Sequence, residues 1–279
     1  MRFLTTGLLL FVSGALMAQT PSPAPPPRLS VEVQAVTLTS DSSVSSDLFQ
    51  RIESKLHFLG FPPDPGRSIA KIAQRELEND GYFRADASAT TQILSETTTR
   101  RYISATLRIR EGEQYRLKQI DFKNNKVVPV SQLRQAFLIK DGDIASSQEI
   151  DRGVYAMRPL YAATGYMEVA PAISKILDDN THTLTLQVDV QEGPQFTVAG
   201  LTLEGNREWP PEKAEKLQAL ARSYQGTHNV GVFIEAVKQA LMEMFPGYEQ
   251  IQSLIGVTEG GEKNLSTVNV TWPEDFQPN

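Results

Sequence analysis

The sequence predicts an α+β chain of three tandem β-α-α-β-β domains, each a three-stranded mixed sheet with two helices on one face. The first observation behind this is a Gly-Tyr pair that recurs at nearly constant spacing, at Gly81-Tyr82, Gly165-Tyr166 and Gly247-Tyr248. Such a period marks an array of small, similar units rather than one large fold. The second is a junction written twice in nearly the same words, Glu111-Gly112-Glu113-Gln114-Tyr115 and Glu192-Gly193-Pro194-Gln195-Phe196, at a matching offset. The third is a shared apolar spacing at the start of each copy: Val31, Val33, Val36, Leu38; then Tyr115, Leu117, Ile120, Phe122; then Phe196, Val198, Leu201, Leu203. The copies divide the chain into 29–112, 113–193 and 194–279.

From the N-terminus, Met1-Arg2 precedes an apolar run from Phe3 to Met17 and then Ala18-Gln19. One positive charge, a short apolar core and a small residue describe a secretory signal peptide over 1–18; the run falls short of the roughly 20 apolar residues of a bilayer-spanning helix. Residues 19–28 carry five prolines and read as an extended linker. The absence of cysteine removes any disulfide framework and any lipid attachment through an N-terminal cysteine. A net charge of −6, with both signs mixed along the chain, excludes the basic stripe of a nucleic-acid binder and a polybasic membrane-surface module.

Within copy two, Tyr115 to Phe122 reads as a strand whose phase slips between Leu117 and Ile120, which predicts a bend or bulge. Asn124-Asn125 marks a turn. Ser131 is the expected cap of a short helix carrying Leu133, Ala136 and Phe137, and Gly142-Asp143 follows it. Ser146 opens a second helix with a stripe of Ile150, Val154, Met157 and Tyr161. Gly165 ends that helix in the left-handed conformation. Tyr166 to Ile173 is the expected second strand, Asp178-Asp179-Asn180 a hairpin turn and Thr183 to Val190 the third strand. In copy one the helix stripes are Leu48, Ile52, Leu56 and Ile69, Ala73, Leu77. In copy three Pro210-Pro211 opens the first helix, where the first amides lack helical partners. Val230, Ile234, Val237, Leu241 and Met244 line the second, and Gly260-Gly261 forms the hairpin turn.

Elements running alternately up and down place the first and third strands parallel, with the third strand in the middle. The second strand then lies at an edge with free N–H and C=O groups, open to an added partner strand. The expected edges are Phe83 to Thr90, Tyr166 to Ile173 and Tyr248 to Ile255. The candidate partner-binding residues on them are Arg84, Asp86, Tyr166, Met167, Val169, Tyr248, Gln250 and Gln252. Pro171 interrupts the middle edge, which makes the third the expected best acceptor.

The element order, the Glu-Gly junctions, Gly142-Asp143 and the Gly-Tyr pairs together resemble polypeptide-transport-associated (POTRA) domains, most closely over 113–206. The resemblance implies a periplasmic location at the outer membrane. It implies protein partners: outer-membrane β-barrel proteins or their assembly machinery. It implies no nucleic acid and no small-molecule substrate. In the family such domains usually precede a β-barrel. The stretch after Trp272 is shorter than the roughly 9–11 residues of one barrel strand, so a scaffold without a barrel is expected here. Client or partner chains would bind by strand addition; the alternative is an envelope adaptor that docks one folded partner.

No catalytic constellation, cofactor or metal site is expected. His57, His182 and His228 fall in separate copies without ligand spacing, and Gly256 to Glu262 lacks the Gly-Lys-Ser/Thr ending of a phosphate loop. Trp209 and Trp272 are expected in core or junction packing. Gly165→Val is expected to destabilise copy two while one and three stay folded, because tandem domains have separate cores.

Overall fold

The computed structural model describes residues 29–40, 44–205, 208–261 and 264–273. The signal peptide and the proline-rich linker lie outside the described residues. The first unit holds β1 (Ser30–Ser40), α1 (Ser46–Leu56), β2 (Phe58–Gly60), α2 (Pro65–Asn79), β3 (Asp86–Glu96) and β4 (Arg100–Arg110). The second holds β5 (Arg116–Lys123), α3 (Val130–Gln135), α4 (Ser147–Ala162), β6 (Ala170–Asp178) and β7 (Thr183–Gln191). The third holds β8 (Thr197–Glu204), α5 (Pro211–Tyr224), α6 (Val230–Met244), a 3-10 turn (Ile251–Leu254), β9 (Ile255–Gly260) and β10 (Leu265–Thr271).

The helices form where the apolar stripes are. Ser45 caps α1 by accepting from the Leu48 N–H, and Asp64 caps α2 by accepting from that of Arg67. Ser146 does the same for α4. Each cap satisfies an amide that has no partner within the helix. Leu48, Ile52, Leu56, Ile69, Ala73 and Leu77 are all buried, as are Ile150, Met157 and Tyr161. In α4, Gly153 rather than Val154 lies deepest in the stripe. The short α3 begins after Pro129 with no side-chain cap, so Ser131 sits inside its first turn instead of capping it.

Each sheet has the predicted topology. β1 runs parallel to β4, β5 to β7 and β8 to β10; β4 lies between β1 and β3, β7 between β5 and β6, and β10 between β8 and β9. The first strand of every unit carries a register shift at the same place: Val33/Ala35, Leu117/Gln119 and Val198/Gly200. The extra residue re-phases the strand, which explains why the apolar positions step by two, three and two. Along the central strands alternate residues are buried, Leu184, Leu186, Val188 and Val190 being the clearest set, and they form the cores under the helices. Three separate buried clusters result, one per unit.

Two features were not legible in advance. The first sheet has a fourth strand, β2, paired antiparallel to β1. In the second unit the Gly-Asp segment runs along β5: Gly142 N–H donates to Leu117 O and Leu117 N–H to Asp143 O. The third unit repeats this with Gly226-Thr227 against Val198, so Gly226 is the counterpart of Gly142. This segment covers one edge of the second and third sheets and leaves the second strand at the other.

Gly153 lies where α4 crosses the ring of Phe137, and a Cβ there would overlap that ring. Alanine would gain about 1 kcal/mol of helix propensity but overpack a fully formed core at a cost of about 1–3 kcal/mol. Gly153→Ala should therefore lower stability on balance, measured as a reduced denaturation midpoint for the second unit.

Candidate functional site

The eight residues expected on edge strands are placed differently. Only Asp86 lies in a second strand, as the first residue of β3. The reason is the way the second helix of each unit stops. Gly81 and Gly165 have φ of 88° and 89°, and Tyr82 and Tyr166 donate their N–H back to Leu77 O and Tyr161 O. This is a glycine-terminated helix cap, which satisfies the orphan carbonyls. The next residues are spent turning the chain, so β3 and β6 start only at Asp86 and Ala170. In the third unit Tyr248 donates its N–H to Phe245 O, and the 3-10 turn intervenes before β9. Gln250 and Gln252 therefore belong to that turn, Val169 is buried in the second core, and Tyr166 and Tyr248 pack against the cores of their own units.

The cap segments instead form the junctions between units. At the first, Tyr115 N–H donates to Gly81 O at 2.9 Å and Gln114 Nε2 to Asp80 O at 2.8 Å. At the second, Phe196 N–H donates to Gly165 O at 2.8 Å and Gln195 Nε2 to Thr164 O at 3.0 Å. The repeated Gln-aromatic pair is thus the socket contact for the repeated Gly-Tyr. Glycine is required for a second reason: a Cβ on Gly165 would stand 2.5 Å from Phe196 O and 2.8 Å from His228 O. A Cβ on Gly81 would meet the Ile144 side chain at 2.8 Å and Tyr115 O at 3.0 Å. Phe83 and Met167, the residues after the tyrosines, cross over and pack on the core of the following unit. The junction glycines Gly112 and Gly193 hold φ of 72° and 73° and face Arg84 and Glu168. The Glu192 carboxylate accepts from the N–H groups of Lys126 and Val127, both at 2.8 Å.

A polar cluster that the sequence did not announce clasps the first junction. Arg84 reaches Asp179 with two N–H groups, at 3.1 and 3.2 Å, and the Tyr115 hydroxyl donates to the same carboxylate. The Tyr115 hydroxyl and the Arg84 guanidinium hold the Asp179 carboxyl below its ordinary range, while burial, then the Asp179 hydrogen bond, pushes the Tyr115 phenol up. The ring of Tyr115 sits edge-on to Phe83 and His182. Lys175 lies over the Phe83 ring at 4.8 Å and donates to Ser147, which donates to Glu78. Asp178-Asp179-Asn180 is the expected turn, with Asp178 accepting from the Asn180 N–H, but Asp179 has this second role. No local signal pointed to it, since Arg84 and Asp179 are far apart in the chain and meet only across the junction.

A groove of about 980 Å³ runs between α2 and α4. Its cations are mostly paired: Lys55 with Glu76, Arg75 with Asp151 and Arg152 with Glu149. Trp209, Trp272 and Phe245 pack edge to face on the third core, as expected of structural aromatics. Among the described residues there is no cluster of metal-ligating side chains and no helix long and apolar enough to cross a membrane.

Among the described strands, the open edges opposite the covered ones are β3, β6 and β9. β3 is 11 residues long, carries no proline and leaves Ile93 and Leu94 exposed. β6 contains Pro171 and β9 is short. The best-formed edge is therefore in the first unit, not the third.

Residues 115–193 match the POTRA family, described as a surface antigen variable number repeat. A Treponema pallidum (strain Nichols) protein named as a putative outer membrane protein assembly factor is 29% identical over 147 residues, covering 49% of this chain. The match spans 17% of that protein, so it covers under a fifth of the length of the curated relative. The crystal structure of Haemophilus influenzae BamA POTRA3-5 superposes with a TM-score of 0.61 at 19% identity, covering 90% of this chain and 100% of that one. The chain has the fold of tandem POTRA domains.

The junction contacts remove the independence that separate cores suggested. Gly165→Val adds a strained left-handed residue, costing about 1–2 kcal/mol, and drives a side chain into two backbone carbonyls of the third unit. Hydrogen exchange should show lost protection in α6 and β8 as well as in α4; unchanged protection in the third unit would refute the coupling. A depressed carboxyl stabilises above its unfolded pKa and loses that contribution as pH falls through its folded value. The first junction should accordingly loosen below about pH 4. In Asp179→Asn it should already be loosened at neutral pH and show no such acid step, read from amide exchange at Tyr115 and Arg116.

Proposed function

We propose that this chain is a non-enzymatic protein-binding scaffold of the periplasm that works in outer-membrane protein assembly, taking up extended segments of partner chains along sheet edges. The observation that carries the reading is β3. Its only neighbour among the described strands is β4, and 11 residues of backbone lie open on the other side. Natural proteins normally blunt such an edge with prolines, inward charges or short length. Here Ile93 and Leu94, 56% and 50% exposed, instead extend it with apolar surface. An added strand would pair through main-chain groups, which are the same in every client, so binding would be weak and tolerant of sequence.

Support for the setting comes from the likeness to the assembly factor of T. pallidum and from the shared fold with the BamA domains. The first two edges differ in quality in a way that gives them separate roles. Pro171 removes one donor from β6, which suits a structural middle unit, whereas β3 is complete. The Arg110–Asp86 ion pair lies at the start of the open strand, away from Ile93 and Leu94.

Adjacent residues of a strand point their N–H groups in opposite directions. Of Thr90→Pro and Thr91→Pro, one should break pairing with β4 and destabilise the first unit, and the other should leave the fold intact. The fold-neutral variant should abolish binding of a β-barrel-derived strand peptide that the unaltered chain binds with a Kd of roughly 0.1–1 mM. Peptide-induced chemical shifts that map to the helices instead of β3 would overturn strand addition and favour docking of a folded partner.

A further inference from the structure

Two helices of different units wall the groove of about 980 Å³ between α2 and α4. α2 lines it with Ser68, Lys71, Ile72 and Arg75, and α4 with Gln148, Asp151, Arg152 and Tyr155. Each set is a residue followed by those three, four and seven places beyond it. That spacing is one face of a helix, roughly 11 Å long. Arg75 pairs with Asp151 across the groove and ties the two walls together. The Tyr155 side chain stands on the α4 wall and is 73% exposed.

Charge sets the groove apart from the rest of the surface. The chain carries a net charge of −6, yet the basic groups of the lining, Lys55, Lys71, Arg75 and Arg152, outnumber the acidic Glu76 and Asp151. Lys55 pairs with Glu76 and Arg75 with Asp151, which cancels both carboxylates. Arg152 is held by Glu149, outside the lining. Lys71 has no ion-pair partner among the described residues. One turn beyond Tyr155, the Arg158 guanidinium lies 6.0 Å from the centre of its ring and likewise has no carboxylate partner among the described residues. Unmatched positive charge thus flanks the half-buried Ile72 and the exposed Tyr155 ring.

We propose that this groove docks an acidic amphipathic helix of a partner protein. Both walls are helices whose backbone bonds close internally, so they offer side chains and no main-chain ladder. An extended segment would bring unpaired N–H and C=O groups against those side chains. A helix brings its backbone already satisfied and meets the two stripes with residues at the same spacing. Its carboxylates pair with Lys71 and Arg158, and an apolar residue between them covers Ile72 and the Tyr155 ring. Complementary charge of this kind governs the choice of partner and its rate of arrival. The inference rests on the reading of the chain as a protein-binding scaffold but not on strand addition, since it uses side chains of α2 and α4 and nothing of β3.

The test is photo-crosslinking of the full chain, in the cells that make it, with a benzophenone side chain at Tyr155 and, as control, at Leu138, which is also exposed on the second unit. The expected result is one discrete adduct at 155 that mass spectrometry maps to a segment of another protein in which Asp or Glu recurs at helical steps beside apolar residues. Lys71→Glu accompanies it, because a substitution at an exposed site keeps the fold while reversing the charge. It should reduce the adduct at least about tenfold, and Lys71→Arg should retain it. No adduct above the Leu138 control, an adduct to a lipid, to a second copy of this chain or to a segment without that acidic spacing, or an adduct undiminished by Lys71→Glu would each overturn the proposal. A strand peptide that fails to bind β3 while the adduct at 155 forms would refute strand addition alone.

Discussion

The architecture depends on one constraint: the second helix of a unit must stop on a residue that turns left-handed and has no side chain. At Gly81 and Gly165 the positive φ lets the following tyrosine amide close the helix end, which satisfies carbonyls that would otherwise be orphaned. The same residue turns its own carbonyl outward, where the next unit's first strand donates to it. Any side chain would collide with that strand. One glycine therefore ends a helix, starts a turn and admits a neighbour, and the period of the sequence follows from that triple role.

The junctions make the three cores less separate than the three buried clusters imply. Phe83 and Met167 belong to one unit by sequence and to the next by packing. Helix contacts reinforce this at Gly231, where a Cβ would stand 2.7–2.8 Å from Ala162 at the end of α4. The Arg84–Asp179–Tyr115 clasp adds polar specificity at a partly exposed site, where ion pairs contribute little energy but fix orientation. The array is thus a chain of small folds with defined joints, an arrangement suited to presenting several sheet edges at set spacings.

Openness in this molecule is selective. The Gly-Asp segment and its counterpart Gly226-Thr227 cover one edge of the second and third sheets. β2 and the His57 carbonyl do the same in the first. Among the described residues, the strand edges that stay uncovered are β3, β6 and β9. The three open edges differ in length, proline content and apolar exposure, so equal repeats do not present equal surfaces.

The sequence by itself determined the number of units, the order of elements, the parallel pairing and the bulge, because each leaves a local period or break that survives without tertiary contacts. Val33, Leu117 and Val198 announce the bulge through the spacing of the apolar positions around them. It also marked both halves of the junction, Gly-Tyr and Gln-aromatic, as important. Only the tertiary structure showed that they touch each other, that Tyr166, Tyr248, Gln250 and Gln252 precede the edge strands instead of lying on them, and that β3 is the edge best formed for an added strand. The physical reason is range. Helix stripes and strand alternation are read over a few neighbouring positions, but the Gly81–Tyr115 bond and the Arg84–Asp179 pair join distant parts of the chain, brought together by the packing of whole units.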